Sequence, residues 1–275
     1  MRLSGYQPQY FPRLHYFARI LDSDIFTISD YLQYVRKHAA IQKDNSVSRV
    51  YSHQAHMPIK SGTGVLFLDI PVKKGGIEGR QALDEAQIDY SSAWQQKTIK
   101  TIHTNYIRAP YYDIIFPSLA ILLAQRYSTL AEYTIASTLW ALGVLFEVHT
   151  DRPKGPSIAA INERLPMSPF RLTRIVRMSE TDIPPADKDT RDANDWLIET
   201  CKKFGADEYC YGGTAATAYM DFEKFKQAGI QLVEQKWACM QYPQRHKEFI
   251  PNLSIVDLLM NVSPEEARRV LATPQ

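Results

Sequence analysis

Residues 2–29 run strand, proline-bounded loop, helix, strand, and that order leaves few folds open. Residues 2–6 read as a first strand. Gln7-Pro8-Gln9-Tyr10-Phe11-Pro12 follows as a loop, because each proline biases the residue before it away from helix. Leu14, Phe17, Ala18 and Leu21 then recur at helical spacing. Residues 24–29, Asp-Ile-Phe-Thr-Ile-Ser, are rich in β-branched and aromatic side chains and read as a second strand. The unit is βαβ, whose strands pair in parallel through a right-handed crossover. A chain of 275 residues built on it is expected to be an α/β protein, with a mostly parallel sheet flanked by helices and a helical subdomain.

In open α/β sheets, ligands sit at the carboxyl ends of the strands. The loops after the first and second strands share that edge. This brings Gln7, Tyr10 and Phe11 toward Asp30, Gln33 and Tyr34, and the stretch from Gln7 to Tyr34 becomes the expected floor of a ligand site. His15, in the first turn of the helix, and Asp30, at the end of the second strand, are the candidate catalytic residues. A His near a helix N-terminus has a lowered pKa and a local preference for an anion. His15 reads equally as a boundary residue, and Asp30 as an Asx turn or cap into Tyr31.

Residues 36–62 are polar and irregular and read as a long loop or lid. His53 and His56 lie in it with no acidic or Cys partner at zinc spacing, so no metal is expected. Residues 65–72 read as a strand and Lys73-Lys74-Gly75-Gly76 as a turn. Ser91 or Ser92 is positioned to cap a helix running to about Tyr106, with Lys97 among its polar members. Residues 114–123 and 127–142 form two more helices, the second ended by Gly143, and residues 144–149 then read as a strand. Residues 150–169 carry Pro153, Pro156, Pro166 and Pro169 and read as an exposed connection, while 171–177 read as an extra strand. A helix over 187–204 closes at Gly205, and a short strand over 207–211 runs into Gly212-Gly213-Thr214, where backbone can approach a ligand. Asp221 caps the helix of 222–227, and 230–234 form a last strand. Ser254 with Asp257 fits a capping box, and Ser263 with Pro264 and Glu266 opens the final helix. Polar-aromatic loops around Gln244 and Asn252 are placed to close over a ligand. The organisation expected is an α/β region over 1–150, a connection over 151–185 and a second α/β region over 186–275 completing the same fold.

Composition narrows the function classes. The net charge is +2, from 32 basic and 30 acidic residues, which lacks the basic bias of a DNA binder. Sixteen Tyr suit a semi-polar pocket as well as a core edge. Three widely spaced Cys give neither a disulfide framework nor a zinc site. The first residues enter a strand at once, and no run of apolar residues is long enough to span a bilayer, so a soluble, cytoplasmic protein is expected. Nucleophile-elbow, kinase, H-E-x-x-H, Walker and dinucleotide signatures are all missing.

Taken together, Gln7-Pro8-Gln9-Tyr10-Phe11-Pro12, Tyr16-Phe17, Ser23-Asp24, Asp30 with Gln33-Tyr34, and Ile70-Pro71-Val72 resemble the WbqC-like proteins. The resemblance continues in Trp94 with Lys97, Tyr106 with Ala109-Pro110-Tyr111, Gly205-Ala206-Asp207 with Tyr209 and Gly212, Tyr219 with Asp221, and Gly229-Ile230. It closes on the run from Phe249 to Leu259, through Asn252. Three features depart from the family pattern. An Asn-Arg-Asn step after the Gln-Tyr pair is replaced by residues 37–61, Tyr211 stands where a Ser is usual, and the segment of about 152–185 is longer. The resemblance implies a bacterial small-molecule tailoring enzyme of surface-polysaccharide (O-antigen) or natural-product biosynthesis, an aminoacyl (glycine-type) or acyl transferase.

On that basis His15 or Asp30 is the base that removes the acceptor proton. Gln7, Tyr10, Phe11, Gln33, Tyr34, Lys97, Tyr209, Gly212, Gln244 and Asn252 are the substrate-binding candidates. The expected partners are a small-molecule donor and acceptor, with a carrier or tRNA as a further one, and neither DNA nor a membrane span. Two other functions fit the same layout. A nucleotide-dependent activating enzyme would share the strand, loop, His and strand-end acid, although the H-x-G-H signature is missing, and ATP or CTP would stabilise it. A non-catalytic pathway module would bind candidate substrates without turnover.

Overall fold

The protein is described from a computed structural model. It covers all residues except 37–38, 42–46, 50–51, 76–80, 149, 151, 187–191, 213–218, 247 and 273–275, with backbone alone for 39–41 and 47–49. The expected helix start at Asp187, the glycine step at Gly213 and Thr214, Gly76 and His149 lie outside the described residues.

A five-stranded parallel sheet forms the frame. Strand β1 (Arg2–Tyr6) lies at its centre. On one side it pairs with β2 (Ile25–Ile28), from Leu3 opposite Ile25 to Tyr6 opposite Ile28. The two strands approach so closely at Gly5 that a Cβ there would stand 2.5 Å from Thr27 Oγ1. Helix α1 (Leu14–Leu21) crosses between them, as the βαβ reading required. The expected extra strand near 171–177 is real and occupies Arg174–Arg177. It is the edge strand outside β2 and, in chain order, the seventh strand, β7. On the other side of β1 stand β8 (Glu208–Tyr211) and then β9 (Gln231–Glu234). The sheet therefore grows outward from β1 in both directions, and its switch point lies between β1 and β8.

Two antiparallel hairpins lie apart from this sheet: β3 (Ala39–Ile41) with β4 (Val47–Arg49), and β5 (His56–Ser61) with β6 (Gly64–Asp69). The second corrects the loop expected over 36–62. An isolated strand over 65–72 has unpaired backbone groups on both edges, and residues 56–61 supply the partner through the turn at Gly62 and Thr63.

The helical layer comprises α2 (Trp94–Tyr106), α3 (Tyr112–Ala124) and α4 (Leu130–Phe146), all packed into the larger core. Neither Ser91 nor Ser92 caps α2; Asp89 accepts the Ser91 N–H instead, and α2 begins without a side-chain cap. Thr129 and Glu132 form a full capping box for α4. This helix does not stop at Leu142, and the described residues of the strand expected over 144–149 form none. It runs on to Phe146 and ends where Glu147 turns to φ 56° and the Val148 N–H reaches back to Gly143 O. Gly143 is there for packing: a Cβ would stand 2.9 Å from Pro156 Cγ. Burial on nearly every side carries the helix past a glycine that alone would weaken it.

The stretch expected to be an exposed connection holds α5 (Ile158–Arg164), capped by Ser157 and anchored by buried Ile161. Helix α6 (Ala193–Phe204) starts on the Asp192 side chain and ends at Gly205, φ 68°. Helix α7 (Phe222–Gln227) is capped by Asp221. Leu3, Ile25, Trp196, Leu197, Tyr209 and Phe225 form a second core between α6, α7 and the sheet. Helices α8 (Ile255–Asn261) and α9 (Pro264–Leu271) close the chain against the first.

Candidate functional site

The switch point holds a crevice of about 430 Å³. Gly5, Tyr6 and Gln7 bound it from the end of β1, and Tyr209, Tyr211 and Gly212 from the end of β8. Trp196 and Leu197 of α6 cover it, Ser29 contributes from beyond β2, and Tyr219 stands half-exposed beside it. Its volume lies within the usual range of small-molecule sites, and Tyr6, Trp196, Tyr209, Tyr211 and Tyr219 give its walls an aromatic share. Of the residues expected to bind substrate, the crevice gathers Gln7, Tyr209 and Gly212.

Gln7 is already engaged at both ends. Its Nε2 donates to Gln33 O at 3.1 Å, and its Oε1 accepts from Gln54 Nε2 at 2.6 Å. Gln54 in turn accepts the Val35 N–H at 2.7 Å. These bonds tie the loop after β1 to the loop after β2. Gln33 enters through its carbonyl while its side chain faces solvent, and Tyr34 is buried beneath Arg36.

Tyr10 and Phe11 point the other way. Both are fully buried. Phe11, at φ 40°, turns the chain inward, gives its N–H to Ser137 Oγ at 3.0 Å, and packs edge-on against Trp140 of α4. Tyr10 packs on Tyr133 of the same helix. They hold the loop to the helical layer and present no surface to a ligand.

His15 stands one ring behind the crevice, edge-on to Tyr6 with centroids 6.5 Å apart. Asn252, itself at φ 56°, fixes its tautomer. Asn252 Oδ1 accepts the His15 backbone N–H at 3.0 Å, so it is an oxygen, and the ring nitrogen Nδ1, 3.1 Å away, must be the one that donates to it. The lone pair is then on Nε2. Burial, helped by the charges of Arg19 and Arg13, lowers the His15 pKa to about 4. The unfolded chain, with its His near 6.5, binds more protons than the native state between those values, so stability falls as pH drops through that window. Between pH 7.5 and pH 5 this group alone is expected to remove about 2 kcal/mol of stability. In His15→Gln that share of the acid sensitivity disappears, and urea unfolding at the two pH values measures it.

Asp30 is fully buried and fully occupied. Its carboxylate accepts from Arg177 Nε at 2.5 Å, from Ser179 Oγ at 2.7 Å and from the Ser179 N–H at 3.1 Å. It locks the end of β2 to the end of β7. Its neighbours Ser29 and Leu32 face the crevice and it does not.

The remaining expected residues sit elsewhere. Lys97 is exposed on α2, near Asp69. Gln244 staples its own loop, bonding both the N–H and the carbonyl of Ile250 and receiving Lys60 Nζ at 3.2 Å. Among the described residues no three His, Cys, Asp or Glu side chains are grouped so as to hold a metal ion. Burial pushes the thiols of Cys201 and Cys210 up to about 12 and about 11, which leaves neither a ready nucleophile.

The sequence reading missed Arg19. It is 6% exposed, lies with its guanidinium 4.6 Å from the centre of the Tyr6 ring, and donates from Nε to Gln235 Oε1 at 2.9 Å. It is the one charged residue lining the crevice among the described residues. The signal was present: Arg19 interrupts a run from Tyr16 to Leu21 that is otherwise apolar and wholly buried.

Among the described residues no helix is long and apolar enough to cross a membrane. No curated protein and no solved structure matches the chain. A family model does, over residues 7–269, from the Gln7 loop into the last helix, and the chain belongs to the WbqC-like protein family.

Proposed function

We propose that the protein is a small-molecule tailoring transferase that moves an activated aminoacyl or acyl group onto an amine or hydroxyl acceptor, with donor and acceptor meeting at the switch-point crevice. The observation that carries this is the crevice itself, at the edge where parallel sheets place their ligands, with a neutral imidazole behind it. The acceptor lone pair attacks the donor carbonyl, and His15 Nε2, which stands behind Tyr6 and does not itself line the crevice, takes the proton the acceptor loses through one intervening water. The carbonyl–leaving-group bond then breaks, and the imidazolium returns the proton to the departing group. With both buried thiols held protonated, direct transfer is favoured over a covalent enzyme intermediate. Family membership supports a biosynthetic setting such as surface polysaccharide or natural products.

His15→Gln keeps a polar side chain and removes the proton acceptor. In an assay with an activated aminoacyl or acyl donor and an amine or hydroxyl acceptor that the wild-type protein turns over, turnover is expected to fall about 10²- to 10⁴-fold while the fold persists. Full activity in His15→Gln would overturn the role given to His15.

A further inference from the structure

We infer that Arg19 is an oxyanion anchor, which receives a carboxylate or phosphate group of the ligand in the crevice; this rests on the crevice being the ligand site. A guanidinium this deeply buried needs partners for its charge and its five N–H donors. Gln235 takes Nε, and Tyr6 covers one face. Among the described residues no carboxylate pairs with it. The two Nη groups are left at the crevice wall, in the planar fork that matches a two-oxygen anion.

Two local features place the fork there. Side chains on a helix lean toward its N-terminus, so Arg19, in the last turn of the short helix α1, is carried back to the carboxyl edge of the sheet. Gly212 then makes room for it. A Cβ on residue 212 would stand 2.3 Å from Arg19 Nη2, and no positive φ requires the glycine. The side chain is absent where the guanidinium needs the space. Trp196 and Tyr209 supply flat apolar walls beside the fork, so the ligand class is a small molecule with one oxyanion group on an apolar or aromatic body.

The test uses benzoate, phenyl phosphate and neutral benzyl alcohol on the full chain, with calorimetry for affinity and Trp fluorescence for occupancy of the crevice. The two anions are expected to bind at least about tenfold tighter than benzyl alcohol, which is the scale of one charged hydrogen-bonded contact. The stronger of the two identifies the group, carboxylate or phosphate. Arg19→Met is expected to abolish the difference and leave the free protein as stable or more so, because it removes a buried charge. Gly212→Ala keeps the charge but displaces the fork, and is expected to cost a similar factor; it serves if Arg19→Met does not fold. Unchanged anion preference in both variants overturns the anchor. Equal, Trp-quenching binding of all three probes also overturns it but leaves the crevice as the ligand site. Binding of none overturns both.

Discussion

Asp257→Ala is expected to lower stability by about 3–5 kcal/mol, read as a fall in Tm of roughly 6–15 °C. Asp257 is fully buried at the start of α8. Its carboxylate accepts from Tyr106 Oη at 2.7 Å and from Tyr242 Oη at 2.8 Å. Tyr106 Oη also takes the Lys60 N–H at 3.1 Å, and Lys60 Nζ reaches Gln244 and the carbonyls of His246 and Glu248. One carboxylate thus joins α2, α8, the β5 hairpin and the loop after β9. Truncation leaves two buried hydroxyls without an acceptor, each at the cost of its desolvation, and removes an anion that attracts the buried Lys60 ammonium. Burial already pushes the Asp257 carboxyl up, which is the direction of a charge that is costly to keep. Asp257→Asn is therefore expected to cost less, below about 1.5 kcal/mol, because the amide accepts from one tyrosine and donates to the other. Thermal unfolding of the two variants checks this, and an Asp257→Ala protein within about 1 kcal/mol of wild type would remove the network as a source of stability.

Asp257 also shows where the sequence was legible and where it was not. Ser254 followed by Asp257 reads as a reciprocal cap, and Ser254 does cap α8 by accepting the Val256 N–H. The Ser254 N–H, however, goes to Pro58 O of the hairpin, so Asp257 is released for the tyrosines. Local chemistry predicted the helix start; a contact 196 positions away in sequence decided the acid's role. The same division holds for the frame. Period and residue type placed β1, α1 and β2, and the edge rule placed the crevice at their ends. The Gln7–Pro12 loop has no period, so nothing local told Gln7, which faces the crevice, from Tyr10 and Phe11, which face α4. Phe11 at φ 40° makes that turn. Gly143 failed for a related reason: a glycine after an apolar run signals a helix end, unless a distant proline needs the space. Arg19 went unremarked because its neighbours made α1 a core helix, and only the packed structure shows its head emerging at the sheet edge.

Asp30→Ala is expected to destabilise the protein by about 2–4 kcal/mol while each folded molecule keeps its turnover. The two effects together separate a structural carboxylate from a catalytic base. Asp30 binds Arg177 and both donors of Ser179, and so holds β7 against β2 at the edge where Ser29 faces the crevice. Without it the Ser179 N–H and hydroxyl lose a buried acceptor. The Arg177 guanidinium, whose side chain is 29% exposed, can still turn to water or toward Glu180, 4.0 Å away, which keeps the cost below that of a sealed ion pair. Asp30→Asn sharpens the distinction. The amide oxygen still accepts from Ser179 but the charge opposite Arg177 is gone, so an intermediate loss of about 1–2 kcal/mol is expected, again with turnover per folded molecule within about threefold of wild type. A general base behaves in the opposite way: its Asn variant keeps Tm and loses turnover by about 10²-fold or more, as His15→Gln is expected to do. Thermal unfolding and the same transfer assay on the same preparations decide between them. A stable Asp30→Asn protein without activity would move the proton transfer from His15 to Asp30.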